Sequence, residues 1–140
     1  MKQSQVKSVA RNFYESYNDG DLDKSFQDFI AIDLVNHTMG GGFDREKWLD
    51  FDKAFLAACS DLELVVKEQF AEDNRVVTHW DCRGIHTGNF MGMPASGNPI
   101  RLIGISIDEI INDKIKEHFA MADFTQFMQQ FTKKQSILTT

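Results

Sequence analysis

The sequence predicts an α+β fold, with helices in its first part and an antiparallel sheet in its second. Up to about residue 58, apolar residues recur every three to four positions, as they do on one face of a helix. From Leu62 onward, apolar and polar residues tend to alternate, as they do in strands with one buried face. Because the two periods occupy separate parts of the chain, we expect helices to cover one side of a sheet.

Three helices are predicted before the sheet. Asn18-Asp19-Gly20-Asp21 ends the first helix, because glycine and asparagine adopt the turn conformations found at helix ends. Asp21 and Asp44 are residues of the type that caps a helix start, so they mark the beginnings of the second and third helices. The predicted helices therefore span residues 4–17, a short segment from 22 to 29, and residues 44 to about 58.

Four strands are predicted after the helices, as two hairpins. The turn of the second hairpin is Asn112-Asp113, a pair that tolerates positive φ. A loop that holds both prolines and three of the nine glycines separates the hairpins. The predicted strands are 62–70, 75–86, 100–111 and 114–122, followed by a short helix with Phe124, Phe127, Met128 and Phe131 and a frayed polar tail from 133.

Size and composition favour a single domain that spans residues 1–140, with a core from about 6 to 131. An apolar content of 42% and twelve Phe support a packed core. A net charge of −6 without any Lys/Arg cluster disfavours nucleic acid and membrane surfaces as partners. The first ten residues lack the apolar core of a signal peptide, and no apolar run approaches the ~20 residues that cross a bilayer. We therefore expect a soluble, cytoplasmic protein.

Neither a metal nor an organic cofactor is expected. Cys59 and Cys82 are far apart in apolar patterns, so we expect them to be reduced core residues. No close set of Cys and His has the spacing of zinc ligands. The chain also lacks a Gly-x-Ser-x-Gly elbow, a phosphate-binding glycine loop and a dinucleotide fingerprint.

Asp123 is the carboxylate with the most unusual predicted setting. Strict alternation along the last strand places it on one face with Phe119 and Met121. Loss of solvent on such a face would favour the protonated carboxyl and suit it to carry a proton. Asp123 also stands where the last helix begins, so it can equally be an ordinary N-cap. Both interpretations remain open at this point.

The four histidines have structural interpretations beside functional ones. His86 ends a strand and can either line a pocket or form a turn hydrogen bond. His37, which follows Asn36, can either bind a ligand or satisfy loop backbone. His79 and His118 are expected to be surface histidines or core histidines with satisfied hydrogen bonds.

Three segments carry a resemblance to a known family. Residues 13–22, FYESYNDGDL, and 35–37, VNH, form the first; residues 84–97, GIHTGNFMGMPASG, form the second. The third is 113–119, DKIKEHF, followed by Asp123. In this order, and covering about 6–131, they resemble the SnoaL-like polyketide cyclases, whose loop has the pattern His-Thr-Gly…Gly-x-Pro…Gly.

The resemblance implies a cone-shaped, cystatin-like fold: a curved sheet covered by N-terminal helices, as in ketosteroid isomerase, scytalone dehydratase and nuclear transport factor. Cyclases of the family close a ring by aldol condensation without metal or cofactor, with an aspartate as acid/base. Asp123 matches that aspartate, and His37 and His86 match polar pocket positions suited to bind substrate oxygens or stabilise an enolate. The implied substrate contacts are Trp80, Phe119, Trp48, Asn36 and Ser106.

The resemblance also implies a small apolar carbonyl compound as ligand, and association through the sheet as a homodimer or homotetramer. Two departures are visible: Phe119 stands where many relatives have Trp, and Ser106 where many have a second Asp. Asp108 and Glu109 lie nearby but point to opposite faces of the strand.

The leading hypothesis is a cofactor-independent cyclase or isomerase-like lyase with Asp123 as proton shuttle. The alternatives are a non-catalytic ligand-binding or dimerisation module of the same fold, and a hydrolase or dehydratase that activates a water.

Overall fold

The computed structural model describes residues 2–132 and confirms the α+β fold class. The predicted frayed tail from 133 lies outside the described residues. Short 3₁₀ turns follow the first helix and the first strand. The helices are α1 (Gln3–Glu15), α2 (Leu22–Phe29), α3 (Arg45–Ala57) and α4 (Phe124–Gln129), and the strands are β1 (Ile30–Asn36), β2 (Cys59–Glu72), β3 (Arg75–His86), β4 (Pro99–Ile111) and β5 (Lys114–Ala122).

The predicted starts of α2 and α3 are confirmed, and each depends on one capping carboxylate. Asp21 accepts a hydrogen bond from the Lys24 backbone N–H at 3.1 Å, and Asp44 accepts one from Lys47 at 2.9 Å. These bonds satisfy backbone donors that have no partner within the helix. Gly20, with φ of +78°, ends the 3₁₀ turn after α1 as the sequence predicted.

The sheet has the strand order β1-β5-β4-β3-β2. Three antiparallel pairings join β2 to β5, and Asn112 and Asp113 form the tight turn with φ of +53° and +62°. The sequence did not predict β1, which pairs parallel to β5. Its burial pattern does not alternate, because its register with β5 shifts between Ile30 and Val35.

The inner face of the sheet carries buried polar residues. Thr78 on β3 and Ser106 and Asp108 on β4 are completely buried. The pairing of β4 with β5 shifts between Glu109 and Ile110. Because of this bulge, both Ile115 and His118 on β5 are buried, although they are three positions apart.

Helices α1, α2 and α3 pack on the inner face around Phe13. Its ring makes edge contacts with the rings of Tyr14, Tyr17, Phe26 and Trp48, at centroid distances of 5.0 to 5.7 Å. A separate small core lies beneath α4 and contains Ala58, Phe90, Ile100, Phe127 and Phe131. None of the helices within 2–132 has the length and apolar character needed to cross a membrane.

Candidate active site

A buried carboxylate, Asp108, joins two elements in the interior. It lies on β4 and is 0% exposed. Its Oδ2 accepts a hydrogen bond from the Tyr14 hydroxyl of α1 at 2.6 Å, and its Oδ1 lies 2.6 Å from Nδ1 of His118 on β5. A buried carboxylate requires such partners, because loss of water is costly for the charged form. With Asp108 ionised, the proton of the imidazole is fixed on Nδ1, and Nε2 carries the free lone pair.

His118 is held between Asp108 and an aromatic ring. The indole of Trp48 stacks on the imidazole with a centroid distance of 4.1 Å and an interplanar angle of 14°. Among residues 2–132, no hydrogen-bond partner is seen for Nε2 of His118, and the side chain keeps 5% of its surface exposed. The imidazole therefore has a fixed orientation and one nitrogen open for proton transfer.

A second carboxylate, Asp52 of α3, lies at the N–H edge of the Trp48 ring. Its Oδ2 accepts hydrogen bonds from the Trp48 indole N–H at 2.9 Å and from the Tyr17 hydroxyl at 2.5 Å. Burial raises the pKa of Asp52 to about 6, although these two hydrogen bonds and the nearby His118 act in the opposite direction. Asp52 can thus change its charge near neutral pH.

The two tyrosines of the network stay protonated. Burial, followed by the neighbouring Asp108, raises the pKa of Tyr14 well above its usual value. Burial, followed by Asp52, does the same to the pKa of Tyr17. Both hydroxyls are therefore hydrogen-bond donors to carboxylates, and neither is suited to act as a base.

Asn36 supplies an unused donor next to His118. It ends β1, where it pairs with His118 across the two strands, and it is 6% exposed. Its Oδ1 accepts the Thr38 backbone N–H at 2.9 Å, whereas its Nδ2 is buried without a partner among the described residues. A buried amide without a partner costs free energy, and a substrate oxygen would satisfy it.

Trp80 and Ser106 lie on the inner face but are bonded to each other. The Trp80 indole N–H donates to Ser106 Oγ at 2.8 Å. The Trp80 ring lies against Gly104, where a Cβ atom would come within 2.3 Å of it. Both residues were expected to contact substrate. In the structure the polar atoms of their side chains bind each other.

The structure places Asp123 on the surface. It is exposed, and its carboxylate caps α4 by accepting the Gln126 backbone N–H at 3.0 Å. The desolvated setting inferred from strand alternation is therefore wrong, because Met121 is 66% exposed and belongs to the outer face. Phe119, an expected substrate contact, pairs with the exposed Ile107 on that same outer face.

The structure does not bring His37 and His86 together with Asp123. His37 is exposed, and its Nε2 lies 2.7 Å from Glu117 Oε1. His86 is completely buried in the small core, 4.7 Å from the Phe131 ring. Its Nδ1 accepts the Ser96 backbone N–H at 3.3 Å and contacts Ser96 Oγ at 2.8 Å, so it holds the loop between β3 and β4.

Tyr14 and Asp52 were not identified from the sequence, Asp108 was named without a decision on whether it faces the pocket, and His118 was expected to be a surface or satisfied core residue. A signal for Asp108 was present, because it shares strand parity with Ser106, an expected site residue. Tyr14 and Asp52 gave no comparable signal in the sequence, because an aromatic or acidic residue in a helix is equally compatible with a structural role. Within the described residues, no three His, Cys, Asp or Glu side chains form a group that could hold a metal ion.

The chain is similar to known proteins over most of its length. A model of the SnoaL-like polyketide cyclase family matches residues 7–131. Aklanonic acid methyl ester cyclase DnrD of Streptomyces peucetius is 28% identical over 124 residues, which are 83% of each chain.

Solved structures share the fold over nearly the whole chain. IdmH of Streptomyces antibioticus, a candidate polyketide cyclase, has a TM-score of 0.79 at 27% identity over 92% of this chain and 99% of its own. AclR of Streptomyces galilaeus, a candidate hydroxylase, has a TM-score of 0.85 at 20% identity over 96% and 100%. The cone-shaped fold implied by the resemblance is confirmed.

Replacement of Asp123 tests its capping role. We expect Asp123→Ala to lower the free energy of unfolding by about 1 kcal/mol, because the first turn of α4 loses its side-chain acceptor. Asp123→Ser should recover most of that loss, since a serine hydroxyl can accept the same bond. Urea unfolding of the three proteins measures this; equal losses in both variants would contradict the capping role.

Replacement of Asp52 changes how stability depends on pH. Because folding raises the pKa of Asp52 to about 6, its contribution to stability is fully present below pH ~4 and is lost as pH rises through 6. Asp52→Asn cannot ionise, so the fall in unfolding free energy from pH 4 to pH 7 should shrink by at most about 3 kcal/mol. Urea unfolding at both pH values measures it, with Asp50→Asn, an exposed carboxylate of α3, as control. An equal effect in both variants would contradict the prediction.

Proposed function

The chain belongs to the SnoaL-like polyketide cyclase family, and we propose that it closes a ring in a small carbonyl compound by acid/base catalysis without a cofactor. The observation that carries the proposal is the Asp108–His118 pair, together with the amide of Asn36, which is unpaired among the described residues; Asn36 pairs with His118 across β1 and β5. The pair lies in the interior, where removal of water strengthens electrostatic interactions with a reacting group.

The proposed reaction is an intramolecular aldol condensation. His118 Nε2 removes a proton from the carbon next to a carbonyl, and an enolate forms. The enolate carbon attacks a second carbonyl carbon of the same molecule, so that one C–C bond forms and an alkoxide results. The imidazolium returns its proton to the alkoxide oxygen, and the product is an isomer of the substrate. No atom or electron is left over, so the chemistry requires no further reactant.

Stabilisation of the developing negative charge is assigned to Asn36. Its buried Nδ2 has no partner among the described residues and lies on the strand paired with that of His118. A donor that is held in place before the reaction loses no free energy to rearrangement when the enolate forms. The sequence analysis expected Asn36 to bind substrate, and its geometry supports that expectation.

Asp108 and Tyr14 act behind the imidazole. Asp108 holds the Nδ1 proton and stabilises the imidazolium, as an aspartate does in a Ser-His-Asp triad. The Tyr14 hydroxyl fixes the other carboxylate oxygen and thereby the direction of the pair. Trp48 closes one face of the imidazole and supplies an aromatic wall for a flat substrate.

The relative DnrD supplies the first compound to test. Its name assigns it cyclisation of aklanonic acid methyl ester, so this ester is the substrate that we propose to assay first. We expect His118→Gln and Asp108→Asn each to lower kcat about 10²-fold or more, because general acid/base transfer contributes 10²–10⁴-fold. Turnover is followed by chromatography of the cyclised product.

Asp123→Asn is the matched control in the same assay. We expect it to keep kcat within about twofold, because its carboxylate is exposed and caps α4. A loss of turnover in Asp123→Asn with normal turnover in His118→Gln would overturn the proposal and restore Asp123 as the proton shuttle. Binding without turnover in the parent protein would favour a ligand-binding module of the same fold.

We also propose that two copies associate through the outer face of the sheet. The neighbouring strands β4 and β5 and the edge strand β2 expose apolar residues there, including Ile105 at 49%, Met121 at 66% and Phe70 at 63%. Ile105 and Met121 lie directly opposite each other on β4 and β5. Contiguous apolar surface of this kind is typical of an interface.

Sedimentation velocity tests the association. The protein should sediment with twice its chain mass of 16.0 kDa, and Ile105→Glu should convert it to the monomer. Ile32→Glu changes an isoleucine that is 91% exposed on β1, and it should leave the dimer intact. A monomeric parent protein at tens of micromolar would contradict the proposed association.

A further inference from the structure

Trp48 connects two titratable groups. One face of its indole stacks on His118 at 4.1 Å, and its N–H donates to Asp52 Oδ2 at 2.9 Å. Trp48 is 5% exposed and His118 is 4% exposed, so their stacked faces are shielded from solvent, whereas Asp52 is half-buried. Asp52 itself does not touch His118 through any hydrogen bond among the described residues. Any influence of one on the other must therefore pass through or around this ring.

We propose that Asp52 is a positioning residue of the candidate active site, which fixes the Trp48 ring against His118 and favours the protonated imidazole. The effect of this positioning on catalysis rests on the function proposed above. An indole whose N–H is bound to a carboxylate has a more electron-rich ring, and an electron-rich ring attracts a cation stacked on its face. The imidazolium formed during proton abstraction is such a cation.

The charged groups around His118 are few. Asp108 of β4 contacts it directly, and Tyr14 of α1 lies behind that carboxylate. From α3, Asp52 accepts the N–H of the indole that stacks on His118, and it is also bound by Tyr17. Both tyrosines are neutral donors. The carboxylates near the imidazole are Asp108, which contacts its Nδ1, and Asp52, which accepts the N–H of the Trp48 indole stacked on it.

The coupling is expected in both directions. Burial raises the pKa of Asp52, and hydrogen bonds from Tyr17 and Trp48 and the charge of His118 oppose the increase. By thermodynamic linkage, such an interaction between two charged groups is reciprocal. The stacked geometry gives this coupling a physical route, because the two groups share a single rigid ring.

The indole N–H resonances of the full chain test the proposal without any substrate. The chain has two tryptophans, so a ¹H–¹⁵N spectrum shows two indole signals, which Trp80→Phe assigns. The Trp48 N–H is bound to Asp52, so its signal should move with pH with a midpoint near 6. The Trp80 N–H is bound to the uncharged Ser106 and serves as an internal reference that should stay fixed.

Three variants distinguish the proposed coupling from a structural effect. Asp52→Asn keeps the size of the side chain and should abolish the movement of the Trp48 signal. His118→Gln removes the ionisable imidazole stacked on Trp48 and should raise the midpoint by about 0.5 unit or more. Asp50→Asn removes an exposed charge of α3 and should leave the midpoint unchanged.

A Trp48 signal that does not move between pH 5 and pH 7 would overturn the proposal, and so would an unchanged midpoint in His118→Gln. Because the titration contains no substrate, its result is independent of the turnover assay. A normal titration together with absent turnover would contradict only the proposed cyclase activity. An absent titration together with normal turnover would contradict only the role of Asp52.

Discussion

The buried Asp108 carboxylate sets the strictest condition on this fold. A charge that is completely removed from solvent is tolerated only where its hydrogen bonds are made, and Asp108 obtains them from α1 and from β5. The Tyr14 bond requires α1 to lie across the inner face of β4. The His118 bond requires the correct register between β4 and β5. One side chain therefore ties the helical layer to the sheet, and an error in either placement would leave a buried charge unpaired.

The register that serves Asp108 depends on a β-bulge. From the Asn112-Asp113 turn, Ile111 pairs with Lys114 and Ile110 with Ile115. An unbroken continuation would place Asp108 opposite Glu117 and turn His118 outward. The shift at Glu109 moves the pairing by one residue, so that His118 lies opposite Asp108 on the buried face. A single extra residue thus gives Asp108 a histidine partner in place of Glu117, which lies opposite Glu109 instead.

Local signals explain which parts of the molecule could be predicted from the sequence. The helix starts depend on local caps such as Asp21 and Asp44, and the hairpin turn on Asn112-Asp113, so they were predicted correctly. Strand β1 was missed because its parallel pairing with β5 is non-local and irregular.

The candidate site was only partly predicted, for a related reason. Trp48 and Asn36 were named because of a family resemblance, and the structure places both beside His118. His118 itself was set aside because Phe119 and Met121 made the opposite face of β5 look like the buried one. Composition could not show that those apolar residues lie on the outer face of the sheet. The position of the bulge decides the matter, and no residue type in the strand marks it.

The polar groups in the interior favour function over structure as their explanation. A purely structural core gains more from well-packed apolar side chains than from buried carboxylates, which cost desolvation free energy even when paired. Here Asp108 is completely buried and Asp52 is half-buried, and burial raises the pKa of Asp52 to about 6. It also contains an amide donor without a partner among the described residues, which adds a further cost. An exposed cap such as Asp123 needs no such explanation, because it stabilises α4 where it stands. These groups lower stability and lie around His118, whose Nε2 has no partner among the described residues. Selection for proton transfer would retain such groups.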